Sequence, residues 1–154
     1  MNLLREMKVS ASADTVCGKI LAFADLAAPP ERVFQALSSP EITAWWERPG
    51  VFDTREWSGD VRVGGTFRAS GIGRGQPYVL EGDFIEVERP RRLVHTWRPA
   101  NGNTTVVTYA LTERDGSTRL TLEHAGFSSA DCCEATATGW QTSLEILARM
   151  LSAP

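Results

Sequence analysis

The sequence predicts an α+β fold in which one curved antiparallel sheet wraps around a single long C-terminal helix. Three observations predict it. Near the C-terminus, Ala130, Cys133, Ala137, Trp140, Leu144, Leu147 and Leu151 advance by alternating steps of three and four, which places them on one stripe of an α-helix. Between residues 54 and 127 the chain instead reads as strands and turns, with Asn101-Gly102 and Asp115-Gly116 where hairpins need them. No second helix of similar length is written to receive the stripe, so the helix must bury it on the sheet.

The elements follow in order. Residues before about Val16 are expected to form a loose leader, residues 1–16, ahead of one domain over 17–154. Residues 17–26 are apolar and bounded by charge and proline, which predicts the first strand. Pro29-Pro30-Glu31 suits a helix start, because proline needs no N–H there and Glu31 meets the positive end of the dipole. Val33, Phe34 and Leu37 share one face of that helix. Ser38-Ser39-Pro40 ends it and begins a second short helix, in which Ile42, Trp45 and Trp46 cluster before Pro49-Gly50. Strands are predicted over 54–57, 66–70, 78–87, 93–97, 104–111 and 118–124, with Gly64-Gly65 as a bulge or tight turn and 71–77 as a turn. Ser128 and Asp131 form a capping box for the last helix.

The stripe of that helix is small at its start (Ala130, Cys133, Ala137) and bulky from Trp140 onward. The taper predicts a space beneath the slender end, lined by apolar groups.

Composition sets the bounds. A chain of 154 residues buries about 70% of the surface its unfolded form exposes, enough for a core without disulfides or structural metal. Sixteen Lys and Arg against nineteen Asp and Glu leave a net charge of −3, with no basic stripe to neutralise phosphates, so no nucleic-acid partner is expected. No apolar run approaches the ~20 residues a bilayer span needs, so no membrane insertion is expected. Arg5, Glu6 and Lys8 interrupt the start, unlike a signal peptide. The odd count of three cysteines suits a reducing compartment, and the expectation is a cytoplasmic protein.

Several segments resemble the START-like helix-grip (SRPBCC) superfamily, and within it the group of the activator of ninety-kilodalton heat-shock protein ATPase homologues. They are Ala28-Pro29-Pro30-Glu31-Arg32-Val33-Phe34, Pro40-Glu41 leading to Trp45-Trp46, and Asp60-Val61-Arg62-Val63-Gly64-Gly65. Glu81-Gly82 through Pro90 to Leu93, Thr96-Trp97, and Leu122-Glu123-His124-Ala125-Gly126-Phe127 complete the pattern. The resemblance covers about residues 21–151. It implies a curved sheet gripping the C-terminal helix, with a cavity between them. It does not imply one activity, because the family includes chaperone regulators tied to stress response, carriers of hydrophobic molecules and a few cyclases.

His95 and His124 share parity with inward apolar neighbours, so each is either a core histidine satisfied by its surroundings or a proton-transfer or ligand-orienting group. His124 is the better functional candidate. Trp45 and Trp46 point about 100° apart on a helix, so at most one faces a cavity squarely. Cys132-Cys133 sits in the first turn of the last helix, where packing or an activated thiol are the readings. Two adjacent cysteines do not make a zinc site, and no metal or cofactor is expected. Gly71-Ile72-Gly73-Arg74-Gly75 lacks dinucleotide-fingerprint spacing and precedes a strand. Glu81, Asp83, Glu86 and Glu88 read as a solvated face, and Asp60 with Arg62 as a surface pair.

The leading expectation is a module that binds a small hydrophobic or aromatic molecule between the sheet and the last helix. Its candidate lining is Trp45, Trp46, Phe52, Phe67, Tyr78, Phe84, Tyr109, His124, Phe127, Trp140 and Leu144. The alternatives are a chaperone-regulating interaction domain and a cavity enzyme of the cyclase or dehydratase type using His124. No recognisable catalytic constellation accompanies that histidine. Edge strands make a homodimer a further expectation.

Overall fold

The computed structural model describes residues 8–100 and 102–152. Its elements run β1 (Val9–Asp14), β2 (Lys19–Leu26), α1 (Pro30–Leu37), a 3-10 turn (Pro40–Ala44), β3 (Glu47–Arg48), β4 (Phe52–Gly59), β5 (Thr66–Gly73), β6 (Gln76–Glu88), β7 (Arg92–Pro99), β8 (Thr105–Arg114), β9 (Ser117–Ala125) and α2 (Ala130–Ser152). The strands form one antiparallel sheet in the spatial order β1-β2-β9-β8-β7-β6-β5-β4-β3. After β2 the chain crosses by α1 and the 3-10 turn to the far edge, and then meanders back strand by strand. The 23-residue α2 touches β1 and β2 at one end of the sheet and β3 at the other. Both ends of the sheet therefore curl onto the same helix, and the fold is α+β of the helix-grip type.

Period-two patterning decides which side chains turn inward. In β9, Thr118, Leu120, Leu122 and His124 are buried, while Thr121 and Glu123 face solvent. In β8, Thr105, Val107, Tyr109 and Leu111 point the same way. Helix α1 starts with Pro30 in its first turn and Glu31 at its positive end, and buries Val33, Phe34, Ala36 and Leu37. Among the described residues, no helix is long and apolar enough to cross a membrane.

Several local expectations are corrected. Part of the expected leader is a strand: Val9 to Asp14 pair antiparallel with β2. Gln141 of α2 fastens this edge, accepting from the Ala11 N–H at 2.8 Å and donating to the Val9 carbonyl at 3.2 Å. The alternation of Val9, Ala11 and Ala13 with serines carried that signal, muted by the small size of its apolar residues. Residues 1–7 of that leader lie outside the described residues. Strand β2 begins at Lys19, because Gly18 takes a positive φ of 68° within the preceding turn.

The expected turn over 71–77 is mostly ladder. Strands β5 and β6 continue to a two-residue connection at Arg74-Gly75, both with positive φ. The second short helix is 3-10: the Trp45 N–H bonds to the Ile42 carbonyl at 3.1 Å, and Ser39 Oγ accepts from the Glu41 N–H. The cap of α2 is Ser129, whose Oγ accepts from the Cys132 N–H at 3.2 Å, in place of the expected Ser128–Asp131 box. Asp115-Gly116 makes its hairpin with φ of 53° and 85°. The Asn101-Gly102 turn depends on Asn101, which lies outside the described residues.

Candidate ligand cavity beside the C-terminal helix

The slender end of the α2 stripe does not stand off from the sheet. Cys133 is fully buried, with its Sγ 3.7 Å from the Lys19 carbonyl of β2, and Ala137 is buried beside it. Small residues there let the helix approach its neighbours closely, and Ala130 is exposed. The expected space beneath the stripe is therefore filled.

A cavity of about 980 Å³ opens instead on the adjacent flank of α2. That flank is a second helical row of small side chains: Cys132, Thr136, Gly139 and Ser143, with Ala135 beside them. A Cβ placed on Gly139 would lie 3.7 Å from the Phe52 ring, an ordinary contact, so this position of α2 faces β4. Phe52 and Thr54 of β4, Tyr78 and Leu80 of β6, and Trp97 of β7 form the opposite wall. Trp46 and Trp140 line it from the core side, while Arg48 and Arg74 join the lining from the β3–β4 and β5–β6 turns. Backbone bonds hold those turns together: Val51 N–H donates to the Arg48 carbonyl at 2.9 Å, and Arg74 N–H donates to the Val51 carbonyl at 2.7 Å.

Of the residues expected to line a cavity, Trp46, Phe52, Tyr78, Phe127 and Trp140 do so. Trp45, Phe67, Phe84, Tyr109, His124 and Leu144 are buried outside its wall. They belong to the packed core, and the hollow occupies only one end of the inner face. Trp45 turns the other way from Trp46 and donates its indole N–H to the Ala36 carbonyl of α1 at 3.0 Å. Phe67 and Phe84 pack with His95, at ring separations of 4.9 and 5.9 Å. Tyr109 is enclosed between His95 and Trp140, and burial pushes its ionisation upward. Leu144 belongs to the tightly packed stripe. Trp97, Thr105, Arg48, Arg74 and Gly139 were missed as lining. Only the small-residue row at 132, 136, 139 and 143 was visible in the sequence.

The histidines are held neutral. Trp140 Nε1–H donates to His124 Nδ1 at 3.0 Å, and His124 Nε2 lies 2.7 Å from Thr105 Oγ1. Burial, with His95 as a second contributor, depresses the His124 pKa to about 3. Burial likewise depresses His95 to about 4, although its Nδ1–H donates to the Thr96 carbonyl at 3.1 Å. His124 thus has both ring nitrogens occupied and no place in the cavity wall, which removes the residue on which a proton-transfer role rested. Elsewhere in the wall, the Tyr78 and Thr54 hydroxyls bond to each other, and burial raises the Tyr78 pKa. Ser143 Oγ bonds to the Glu47 backbone. Among the described residues, no three His, Cys, Asp or Glu side chains gather as a metal site requires.

Comparisons with known proteins agree with the fold. The profile of the family described as Activator of Hsp90 ATPase homolog 1-like protein matches residues 27–152. A crystal structure of a protein from Rhodobacter sphaeroides is 25% identical, covers 96% of this chain and 98% of its own, and superposes with a TM-score of 0.78. Protein CV1439 from Chromobacterium violaceum is 27% identical over 89% of this chain and 99% of its own, with a TM-score of 0.80. Protein Ms6760 from Mycobacterium smegmatis, at 21% identity, shares the fold over 96% of this chain and 99% of its own, with a TM-score of 0.80. No curated protein matches the sequence significantly.

Proposed function

This chain belongs to the Activator of Hsp90 ATPase homolog 1-like family, and we propose that it binds a small hydrophobic or aromatic molecule in the cavity beside α2. The observation that carries the reading is the hollow itself. About 980 Å³ is ample for a drug-sized guest, and Trp46, Phe52, Tyr78, Trp97, Phe127 and Trp140 offer it aromatic surface. The hollow opens to solvent beside exposed Cys132, so a guest can enter without unfolding the helix. Each fully buried aliphatic or aromatic group of a guest contributes about 1.5–3 kcal/mol, and a few polar contacts then orient it.

Cys132 provides the test, because it is exposed and lines the cavity. In a Cys17→Ser background, N-phenyl-1-naphthylamine is expected to bind saturably, to gain fluorescence and to slow maleimide labelling of Cys132. Absence of saturable binding, with labelling unchanged, would refute the proposal. Mass spectrometry of a denatured extract of the purified protein then identifies any natural guest.

A further inference from the structure

We propose that the Thr105 hydroxyl is a fixed hydrogen-bond donor to the cavity, selecting guests that carry a carbonyl oxygen over hydrocarbons of the same shape. This inference rests on the reading of the cavity as a ligand site.

The polarity of Thr105 is set two residues away. An indole N–H can only donate, so the bond from Trp140 Nε1 at 3.0 Å obliges His124 Nδ1 to accept. A neutral imidazole carries one proton, which must then sit on Nε2. At 2.7 Å the partner of that proton is Thr105 Oγ1, which therefore accepts. A threonine hydroxyl has one proton and two lone pairs. One lone pair is committed to His124, and the proton has no acceptor among the described residues. Were the Trp140 bond absent, His124 could carry its proton on Nδ1. Thr105 would then donate to Nε2 and offer the cavity only a lone pair.

The surroundings favour the same chemistry. Thr105 is 5% exposed and forms part of the cavity wall. It pairs in register with Trp97, whose ring stacks on Trp140 at 5.6 Å and 23°. The Trp97 indole N–H is buried with no partner, which puts a second free donor on a residue of the same wall. Ser143 spends its hydroxyl proton on the Glu47 carbonyl, while Tyr78 and Thr54, with two protons for one bond between them, keep one donor on the opposite wall. A planar aromatic carbonyl compound lying against the tryptophans supplies an acceptor oxygen for these donors.

Fluorene and 9-fluorenone, which differ by a carbonyl, make the test. The protein is expected to bind 9-fluorenone about three- to tenfold more tightly than fluorene, the worth of one net hydrogen bond. The carbonyl stretch of bound fluorenone is expected to shift to lower frequency than in hexane. Thr105→Val should cut the preference at least about twofold and reduce the shift, and Thr105→Ser should restore both. Should Thr105→Val fail to fold, the infrared shift in the unmodified protein and in Thr105→Ser decides the matter. Equal binding with an unshifted carbonyl overturns the donor while leaving the ligand site intact. A preference that survives Thr105→Val undiminished but is lost in Arg48→Gln/Arg74→Gln overturns the assignment to Thr105. If neither compound binds saturably, the cavity reading falls as well.

Discussion

The indole of Trp140 on α2 donates to the ring nitrogen Nδ1 of His124 on β9, across 3.0 Å of fully buried core. This bond joins the helix to the inner face of the sheet and dictates the tautomer of the histidine. Trp140→Phe keeps an aromatic ring but leaves Nδ1 buried and unpartnered, which costs about 1–3 kcal/mol in addition to the lost packing. Urea denaturation measures the loss. Nitrogen-15 spectra of the ring check the tautomer, with His124 protonated on Nε2 in the unmodified protein.

Stability is expected to fall in mild acid. Both histidines have folded pKa values, about 3 for His124 and about 4 for His95, below the value near 6.5 of the unfolded chain. Below pH 6.5 the unfolded state therefore binds more protons. The stabilisation is complete above that pH and declines as pH falls toward the folded values, by about 1.4 kcal/mol per pH unit for each histidine. Asp25, whose carboxyl is held down by the Arg119 guanidinium, acts in the same direction but only below its ordinary value of 3.8. Urea midpoints between pH 7.5 and 4.5 isolate the histidine window. A flat profile across it would contradict the buried neutral pair.

Gly82 of β6 admits no side chain. A Cβ there would lie 2.0 Å from the Thr96 carbonyl and 2.4 Å from the Phe67 ring. Gly82→Ala is expected to destabilise by about 1–3 kcal/mol through overpacking, read as a lowered urea midpoint.

Gly139 behaves oppositely. It sits inside α2 with φ in the ordinary range, and an added Cβ makes only normal contact with Phe52. Gly139→Ala is expected to stabilise by up to about 1 kcal/mol, the helix-propensity difference. Gly139→Leu projects into the hollow, so the affinity for N-phenyl-1-naphthylamine should drop at least about tenfold while circular dichroism stays unchanged. Unaltered affinity in that variant would place the probe elsewhere.

What the sequence by itself determined was periodic. Steps of three and four along 130–151 announced α2, alternation announced the inward faces of β8 and β9, and Asp115-Gly116 announced its hairpin. Periodicity reports which side of an element is apolar, because burial repeats with the geometry of the backbone. It does not report how closely two buried faces approach. Cys133 and Ala137 read equally well as a gap or as a close contact, and only packing against β2 made them a contact. The hollow lies where the curl of the sheet carries β4 to β7 past the small-residue flank of α2, a matter of distances between elements remote in sequence. The surroundings of His124 were decided the same way. Its chemistry depends on Trp140 and Thr105, brought within 3.0 and 2.7 Å by folding alone, and one ring has a different tautomer and charge in a different setting.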